Sequence, residues 1–205
     1  MSKLVATTFL TLDGVYQAPG GPEEDRSGGF KQGGWLVPHF DDTTGAFMGE
    51  VFARAGSFVL RRRTYEIFAG YWPQVTDEND PVASGLNRLP KYVASRSLEK
   101  VDWQHSTLIR DVPAEVAALK EQPGDELQVH GSGNLIQTLI EHDLVDVYQL
   151  LIFPVVLGDG KRLFPQGVTP AGLRLTNSRT TEKGVVILSY ERAGQPTYGT
   201  VGVDI

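Results

Sequence analysis

The sequence contains no cysteine, and this absence removes several classes of function at once. Without thiols the 205-residue chain holds no disulfide, no iron–sulfur cluster and no thiolate zinc site. It also lacks the zinc-binding cysteine pair of a nucleoside deaminase. The few histidines, His39, His105, His130 and His142, show no metal-ligand spacing, so we predict no metal site. A chain without cysteine fits a reducing compartment, and a cytoplasmic location is expected.

Long apolar runs and an excess of positive charge are missing as well. No stretch reaches the roughly 18 consecutive apolar residues of a membrane span, and the N-terminus shows no signal-peptide pattern. The formal net charge is −6, whereas nucleic acids and anionic membranes bind basic surfaces. We therefore expect no nucleic-acid partner and no membrane, and a small molecule as the ligand.

The composition that remains is that of a globular α/β protein. Apolar residues make up 40% of the chain and charged residues 21%, enough for one sizeable core, so we expect a single domain over residues 1–205. Residues 12–42, rich in glycine, proline and acidic residues, are interpreted as a flap over a site. Residues 194–205 are expected to form an irregular tail.

Hydrophobic periodicity predicts the order of strands and helices. Strands are predicted at 3–11, 57–60, 91–95, 106–109, 127–130, 145–156, 173–181 and 185–192, and helices at 43–54, 61–68, 82–89, 113–120 and 135–142. Strand–helix alternation that ends in a hairpin predicts a three-layer αβα fold around a mixed, mostly parallel sheet. Ligands of such sheets bind at the carboxyl ends of the strands, so the turns that follow strands are the places to look for a site.

The turn at His130–Leu135 lies between a predicted strand and a predicted helix. Gly131, Ser132 and Gly133 are small enough for the backbone to approach a phosphate, and the first helical amides would point at the anion. The third glycine of a Rossmann fingerprint is absent, because Ile136 stands in its place. The alternative interpretation is a tight turn that needs glycine only for a positive φ.

Two further turns are compatible with phosphate. Arg61, Arg62 and Arg63 precede Thr64 at a helix start, where the helix dipole disfavours cations unless an anion neutralises them. The segment Ser95–Ser97, with Arg96 at its centre, follows another strand and suits a 2′-phosphate, the group that separates NADP from NAD. The alternative for the arginine turn is a solvated basic turn paired with nearby acids, and the alternative for Ser95–Ser97 is an ordinary turn.

Single residues near the first strand and the flap have two interpretations each. Asp13 could orient a substrate or a ribose hydroxyl, or form an Asx-turn with Gly14. Trp35 could stack on a heterocycle or fill a gap in the core. Asp41 and Asp42 are interpreted as the cap of a helix.

In their order along the chain, these motifs resemble the dihydrofolate reductase-like superfamily, in particular the branch with the riboflavin-biosynthesis reductase domain. The resemblance spans nearly the whole chain and is carried by Thr11–Gly14, Arg62–Glu66, Ser95-Arg96, Gly131–Leu135 and Pro154–Phe164. It implies NADPH bound across the sheet, a homodimer with the 145–156 strand near the interface, and a candidate cis peptide at Gly131–Ser132.

The resemblance also implies roles for individual residues. Gly131, Ser132, Gly133, Asn134 and Leu135 would contact the pyrophosphate side of the cofactor. The adenosine end would be held by Arg62, Arg63, Thr64, Ser95 and Arg96. Asp13, Gly14, Trp35 and His130 would lie near the nicotinamide and substrate, with Asp13, His130 or an ordered water as the proton donor.

The sequence departs from the family pattern at two site positions. Arg61 stands where a glycine usually precedes the basic pair, and His130 stands where a substrate-facing glutamate is typical. We expect a stand-alone NADPH-dependent reductase of a small polar substrate, pyrimidine- or pterin-like. The alternatives are a dihydrofolate reductase with Asp41 or Asp42 facing the pterin, and a non-catalytic nucleotide-binding or assembly module.

Overall fold

The computed structural model of the protein describes residues 1–77 and 79–202. Within these residues the strands are β1 (Leu4–Thr11), β2 (Ala55–Arg61), β3 (Lys91–Ala94), β4 (Ser106–Ile109), β5 (Glu126–His130), β6 (Val147–Phe153), β7 (Leu173–Thr180) and β8 (Val186–Arg192). The α-helices are α1 (Asp42–Ala53), α2 (Arg62–Tyr71), α3 (Pro81–Arg88), α4 (Val112–Glu121) and α5 (Gly133–Glu141). Of the tail predicted at 194–205, residues 194–202 form neither helix nor strand, and 203–205 lie outside the described residues.

The strands form one sheet in the order β4-β3-β2-β5-β1-β6-β8-β7. Strands β1 to β6 pair in parallel, β8 runs antiparallel to β6, and β7 runs antiparallel to β8. This arrangement confirms the predicted mixed, mostly parallel sheet with a terminal antiparallel pair. Strand β6, which the resemblance placed near a dimer interface, is paired on both of its edges, with β1 and with β8.

Successive side chains of the central strands pack into hydrophobic cores on opposite faces of the sheet. Val59 of β2 packs in one cluster with Val116 of α4 and Leu139 of α5. Its neighbours Phe58 and Leu60 point the other way, into a cluster with residues of α1, α2 and α3. Because successive side chains of a strand point to opposite faces, a strand that is apolar throughout packs against helices on both sides of the sheet, and this gives the three layers.

The five α-helices of the described residues begin in two different ways. Short acidic side chains cap three of them: Asp41 accepts from Thr44 N in α1, Asp80 from Val82 N in α3, and Asp111 from Ala114 N in α4. This confirms the capping role expected for Asp41, and α1 begins at Asp42, one residue before its predicted start. Helices α2 and α5 have no side-chain cap, so their first amides are left for another acceptor.

The segment predicted as a flap, residues 12–42, is irregular but packed. It contains two short 3₁₀ turns, Ser27–Gly29 and Val37–His39. Val15, Phe30 and Trp35 are buried in a cluster with residues of α1, β6 and β8. The segment therefore lies along one side of the sheet and is anchored there by its apolar side chains.

Two element boundaries differ from the prediction for identifiable reasons. Strand β6 ends at Phe153 rather than at 156, because Pro154 has no N–H to donate to a ladder. Helix α2 runs to Tyr71, past the predicted end at 68, and stops where Pro73 follows. None of the helices in the described part of the chain combines the length and the apolar character needed to cross a membrane.

Candidate active site

A cleft of about 1590 Å³ opens at the carboxyl ends of β2, β3, β4 and β5. Its lining includes the segments that follow these strands: Arg61–Thr64, Ala94–Ser97, Arg110–Pro113 and His130–Leu135. The three turns that the sequence marked as compatible with phosphate therefore lie in one cleft. We call this region, with Tyr16, Glu24, Asp25 and Lys161 from the loops above it, the polar half of the cleft.

The two helices without side-chain caps meet in the polar half. Thr64 in the first turn of α2 contacts Ser132 before α5 through their hydroxyls, across 68 residues of sequence. Within the described residues, the backbone amides of Ser132 and Gly133 have no acceptor. Two helix N-termini with free donors converge on one point, an arrangement that attracts an anion.

The glycines of this turn are needed for different reasons. Gly131 has a φ of +60°, a conformation that favours glycine, and no atom lies within 4 Å of where a Cβ would stand. Gly133 has no such φ, but its Cβ would lie 2.1 Å from Cε1 of Tyr16. The Tyr16 hydroxyl donates to Asn134 Oδ1 at 2.6 Å. Tyr16, which the sequence did not mark, is thus packed directly against the turn.

The peptide bond between Gly131 and Ser132 is trans, so the cis peptide expected from the resemblance is wrong. The chain reverses instead through two consecutive left-handed residues, since Ser132 also has a positive φ, +56°. The left-handed conformation at Ser132 brings its hydroxyl to Thr64.

The loop after β3 is held in place by arginines. Arg62 donates to Ser97 Oγ at 3.1 Å, and it pairs with Glu66 at 3.7 Å. Arg110 donates to the carbonyl oxygens of Ser95 and Leu98. Arg110 was missed because a lone arginine after a short strand carries no sequence signal. These contacts shape the Ser95–Ser97 turn and leave Arg96 exposed beside it.

Acidic residues of the 12–42 segment reach into the polar half. Asp25 lies between Arg63 (3.3 Å) and Lys161 (2.7 Å), and Arg63 also donates to the Glu24 carbonyl oxygen. Burial disfavours the charge of Asp25, but hydrogen bonds from Lys161 and Ser27 outweigh it and lower the pKa of Asp25 to about 2. Arg63 therefore has an acidic partner, as one interpretation of the basic turn required, while Arg61 has no ion-pair partner among the described residues.

The other side of the cleft is apolar, and we call it the apolar half. It is lined by Phe9, Phe40, Met48, Phe52, Phe68 and Trp72. His130 stands at its border, where its ring stacks on Phe52 with centroids 4.3 Å apart. Burial lowers the pKa of His130 to about 3, so its imidazole is neutral at physiological pH.

Three residues that the sequence assigned to the substrate side do not line the cleft. Asp13 pairs with Arg162 at 3.1 Å, and Gly14 forms the adjoining turn with a φ of +77°. Trp35 fills the core: its Nε1 donates to the Gln17 carbonyl oxygen, and its ring packs edge-on against Phe153. The stacking role proposed for Trp35 is thereby corrected to its alternative, the filling of a gap.

Asp13 is also a poor candidate for a proton donor. Burial opposes its ionisation, but hydrogen bonds from Thr11 and from the amides of Leu157 and Gly158 lower the pKa of Asp13 to about 2. Its carboxylate ties the turn after β1 to the loop before Lys161. Asp41 and Asp42, the acids that a folate reductase would need, do not line the cleft either. No group of three potential metal ligands occurs in residues 1–77 and 79–202.

Comparisons with known proteins agree with this fold. A family model described as the RibD C-terminal domain matches residues 2–187. The uncharacterized protein YyaP of Bacillus subtilis (strain 168) is 28% identical over 196 residues, covering 94% of this chain and 96% of that protein.

Two solved structures share the architecture at low identity. A pyrimidine reductase-like protein from Corynebacterium diphtheriae superposes with a TM-score of 0.62 at 12% identity, covering 94% of this chain and 92% of the other. A dihydrofolate reductase from Enterococcus faecalis, complexed with NADP(H) and RAB-propyl, gives a TM-score of 0.57 at 15% identity, covering 93% of this chain and 96% of the other. These likenesses establish the dihydrofolate reductase-like fold.

Proposed function

The chain belongs to the RibD C-terminal domain family, and from that premise we propose that it is an NADPH-dependent reductase of a small molecule. Family membership and the dihydrofolate reductase-like neighbours support a reductase-type function. The observation that carries the proposal for this chain is the convergence of α2 and α5, whose uncapped N-termini meet through Thr64 and Ser132.

The polar half fits a dinucleotide phosphate in charge and in geometry. The free amides of Ser132 and Gly133, with the start of α5 behind them, would hold the pyrophosphate. Arg62 and Arg96, with the serines beside them, would hold the adenosine phosphate, since guanidinium groups bind phosphate through paired hydrogen bonds. Arg63 would exchange its contact with Asp25 for a phosphate oxygen.

This placement assigns different tasks to the cofactor and to the protein. NADPH supplies a hydride when bound, and the protein orients it and excludes water. The cleft continues from Gly131 into the apolar half, so a substrate there would lie beside the cofactor. At neutral pH Asp13 is ionised, and the neutral imidazole of His130 keeps its one N–H in the hydrogen bond to Gln128. Of the donors that the sequence left open, we propose an ordered water.

Titration calorimetry with NADPH and NADH tests the proposal. We expect saturable binding of NADPH, and weaker binding of NADH because it lacks the 2′-phosphate. Arg62→Ala should reduce NADPH affinity about tenfold and NADH affinity much less, since a charged hydrogen bond contributes ~1.5–3 kcal/mol. Arg88→Ala, an exposed arginine outside this cleft, is the matched control and should bind like the wild type. Absence of saturable binding of either nucleotide would falsify the proposal.

Assembly as a homodimer stays a prediction, and mass measurement in solution checks it. Within the described sheet the edge strands are β4 and β7. NADPH binding without turnover over a broad substrate panel would favour the non-catalytic alternative.

A further inference from the structure

Among the described residues, no ionised side chain that could receive a charged substrate lines the apolar half of the cleft. Every acidic and basic side chain that lines the cleft, apart from neutral His130, belongs to the segments of the polar half or to α5 beyond them. Thr7, on the apolar side, already donates its hydroxyl to Gln149 at 3.0 Å. Burying a phosphate or carboxylate there would leave it unpaired, at a cost of several kcal/mol.

A chain of hydrogen bonds along β5 fixes the tautomer of His130. Glu126, Gln128 and His130 project from the same face of the strand because side chains alternate. The Gln128 amide nitrogen donates to the Val51 carbonyl oxygen and to Glu126 Oε2, both at 2.7 Å. Its oxygen therefore faces His130 and accepts from Nε2–H at 2.9 Å.

This tautomer leaves the other ring nitrogen of His130, Nδ1, with a lone pair. In the described part of the chain Nδ1 has no hydrogen-bond partner. It is not sealed in the core either, since the one buried side-chain polar atom there without a partner is Ser106 Oγ. Nδ1 thus offers an acceptor to the cleft, at the border between its two halves.

We infer that the substrate is a neutral, largely apolar ring compound that donates one hydrogen bond, from N–H or O–H, to Nδ1 of His130. This inference rests on the proposed reductase function and names its substrate class. His130 determines specificity by contact, and Gln128 is a positioning residue that acts through the tautomer. A phosphorylated pyrimidine does not fit the apolar half.

Matched pairs of probes test the inference on NADPH-saturated protein. The donors are indole-3-carbaldehyde and 3- and 4-hydroxybenzaldehyde, and their partners are the N-methyl and methoxy analogues. Uridine monophosphate represents a phosphorylated pyrimidine. By calorimetry we expect at least one donor to bind about tenfold more tightly than its methylated partner, because the methylated compound cannot form the hydrogen bond. Uridine monophosphate should not compete with it.

Variants separate the hydrogen bond from general packing. His130→Phe keeps a ring against Phe52 and should abolish the preference for the donor over its methylated partner, while the methylated partner still binds. His39→Phe, outside the cleft, should keep the preference. Long-range ¹⁵N–¹H spectra of the wild type at neutral pH should show His130 protonated at Nε2 only, with Nδ1 shifting when the donor is added. In Gln128→Leu the Nδ1–H tautomer should become populated.

The outcomes are decisive in both directions. The inference is overturned if every donor binds with the same affinity as its methylated partner. It is also overturned if uridine monophosphate binds more tightly than all the ring aldehydes, or if His130 is protonated at Nδ1. Binding of NADPH is measured first on the same preparation. Failure at that step overturns the reductase proposal, whereas normal NADPH binding with any of these results overturns the substrate class alone.

Discussion

In the polar half of the cleft, backbone donors and the guanidinium groups of Arg61 and Arg96 have no partner among the described residues, whereas the apolar half is lined mainly by packed apolar side chains. The amides of Ser132 and Gly133 have no acceptor among the described residues, while Thr7 on the apolar side donates to Gln149. Donors at a helix start that have no protein acceptor are open to water or to a ligand. The polar half is therefore suited to an anion, and the apolar half contributes to the folded core.

The helix caps lead to the same distinction. Asp41, Asp80 and Asp111 cap helices whose N-termini need no ligand. The two N-termini that meet in the cleft have Arg61 and Ser132 at the cap positions, and neither side chain caps its helix. A short acidic side chain there would satisfy the amides and repel a phosphate. If the two halves are energetically distinct, damage to one should leave the other intact.

The largest effect on stability is expected from the apolar half. Phe52 is 5% exposed and packs on both His130 and Phe58. Phe52→Ala should lower the free energy of unfolding by about 3–5 kcal/mol, the usual cost of a large aromatic truncation in a core. NADPH affinity of the folded protein should stay within about twofold of wild type, a change of ~0.4 kcal/mol or less, because Phe52 would not contact the phosphates of the cofactor. Urea unfolding and calorimetry measure the two quantities.

A matched control for this variant is Phe164→Ala, because Phe164 is 42% exposed and should lose less than about 1 kcal/mol. A fall in NADPH affinity in Phe52→Ala would show that the two halves are coupled, contrary to the comparison drawn above.

The next largest effect is expected at the glycine turn of the polar half. Gly133→Ala would force its methyl group into the Tyr16 ring, so we expect a loss near 3 kcal/mol, the upper end of typical overpacking costs. In Gly131→Ala the new methyl group would lie in open space, so the free energy of unfolding should fall only by the cost of a positive φ, about 1 kcal/mol. NADPH affinity should fall more than about tenfold in Gly133→Ala, because displacement of Tyr16 releases Asn134.

A double-mutant cycle checks the cause. In Tyr16→Ala/Gly133→Ala the two losses of stability should be clearly less than additive, since the overlap is already removed. Additive losses would mean that the glycine is required by the backbone and not by the ring.

Sequence reasoning identified the turn at 131–134 but not what packs on it. Gly131 and Gly133 are indistinguishable in a sequence, because both appear as glycines between a strand and a helix. The distinction requires Tyr16, which lies more than a hundred positions earlier and comes close only when β1 and β5 pair. The fold class was predictable because it depends on local periodicity and on the order of elements, which neighbouring residues determine.

The errors of sequence reasoning concern residues whose partners are distant. Asp13 follows a strand end, as a catalytic acid could, but its carboxylate is used by Arg162 and the amides of Leu157 and Gly158. Trp35 belongs to a glycine-rich segment, yet its indole is buried against Phe153. His130 lines the cleft, but its tautomer depends on Gln128 and on a carbonyl of α1. Such roles follow from tertiary contacts that local pattern does not contain.

A smaller effect is expected where the flap segment crosses into the polar half. The pKa of Asp25 is about 2 in the folded protein against an ordinary value of 3.8. Its stabilising contribution, about 2 kcal/mol, is therefore complete above about pH 4 and is lost as the pH falls towards about 2. Asp25→Asn should be less stable than wild type at pH 7, and the difference should shrink between pH 4 and pH 2.

The same variant should bind NADPH at least as tightly as wild type, because Arg63 is released for a phosphate. Asp102→Asn, which removes an exposed carboxylate paired with Lys100, is the control and should show neither effect. A stability difference that is constant with pH would exclude the Asp25 carboxylate as its source.

The smallest effect is expected at Arg61, the position where the resemblance led us to expect glycine. Its backbone is extended, with φ −76° and ψ 154°, so glycine is not required there. Its exposed side chain lines the polar half, and an exposed charge acts weakly and is screened by salt. Arg61→Ala should reduce NADPH affinity about threefold at low ionic strength, and the difference should vanish at about 0.5 M salt. Calorimetry at both salt concentrations measures it. A gain in affinity that persists at high salt would instead mean that the Arg61 side chain crowds the cofactor, and the polar half would then be partly obstructed in this chain by its own arginine.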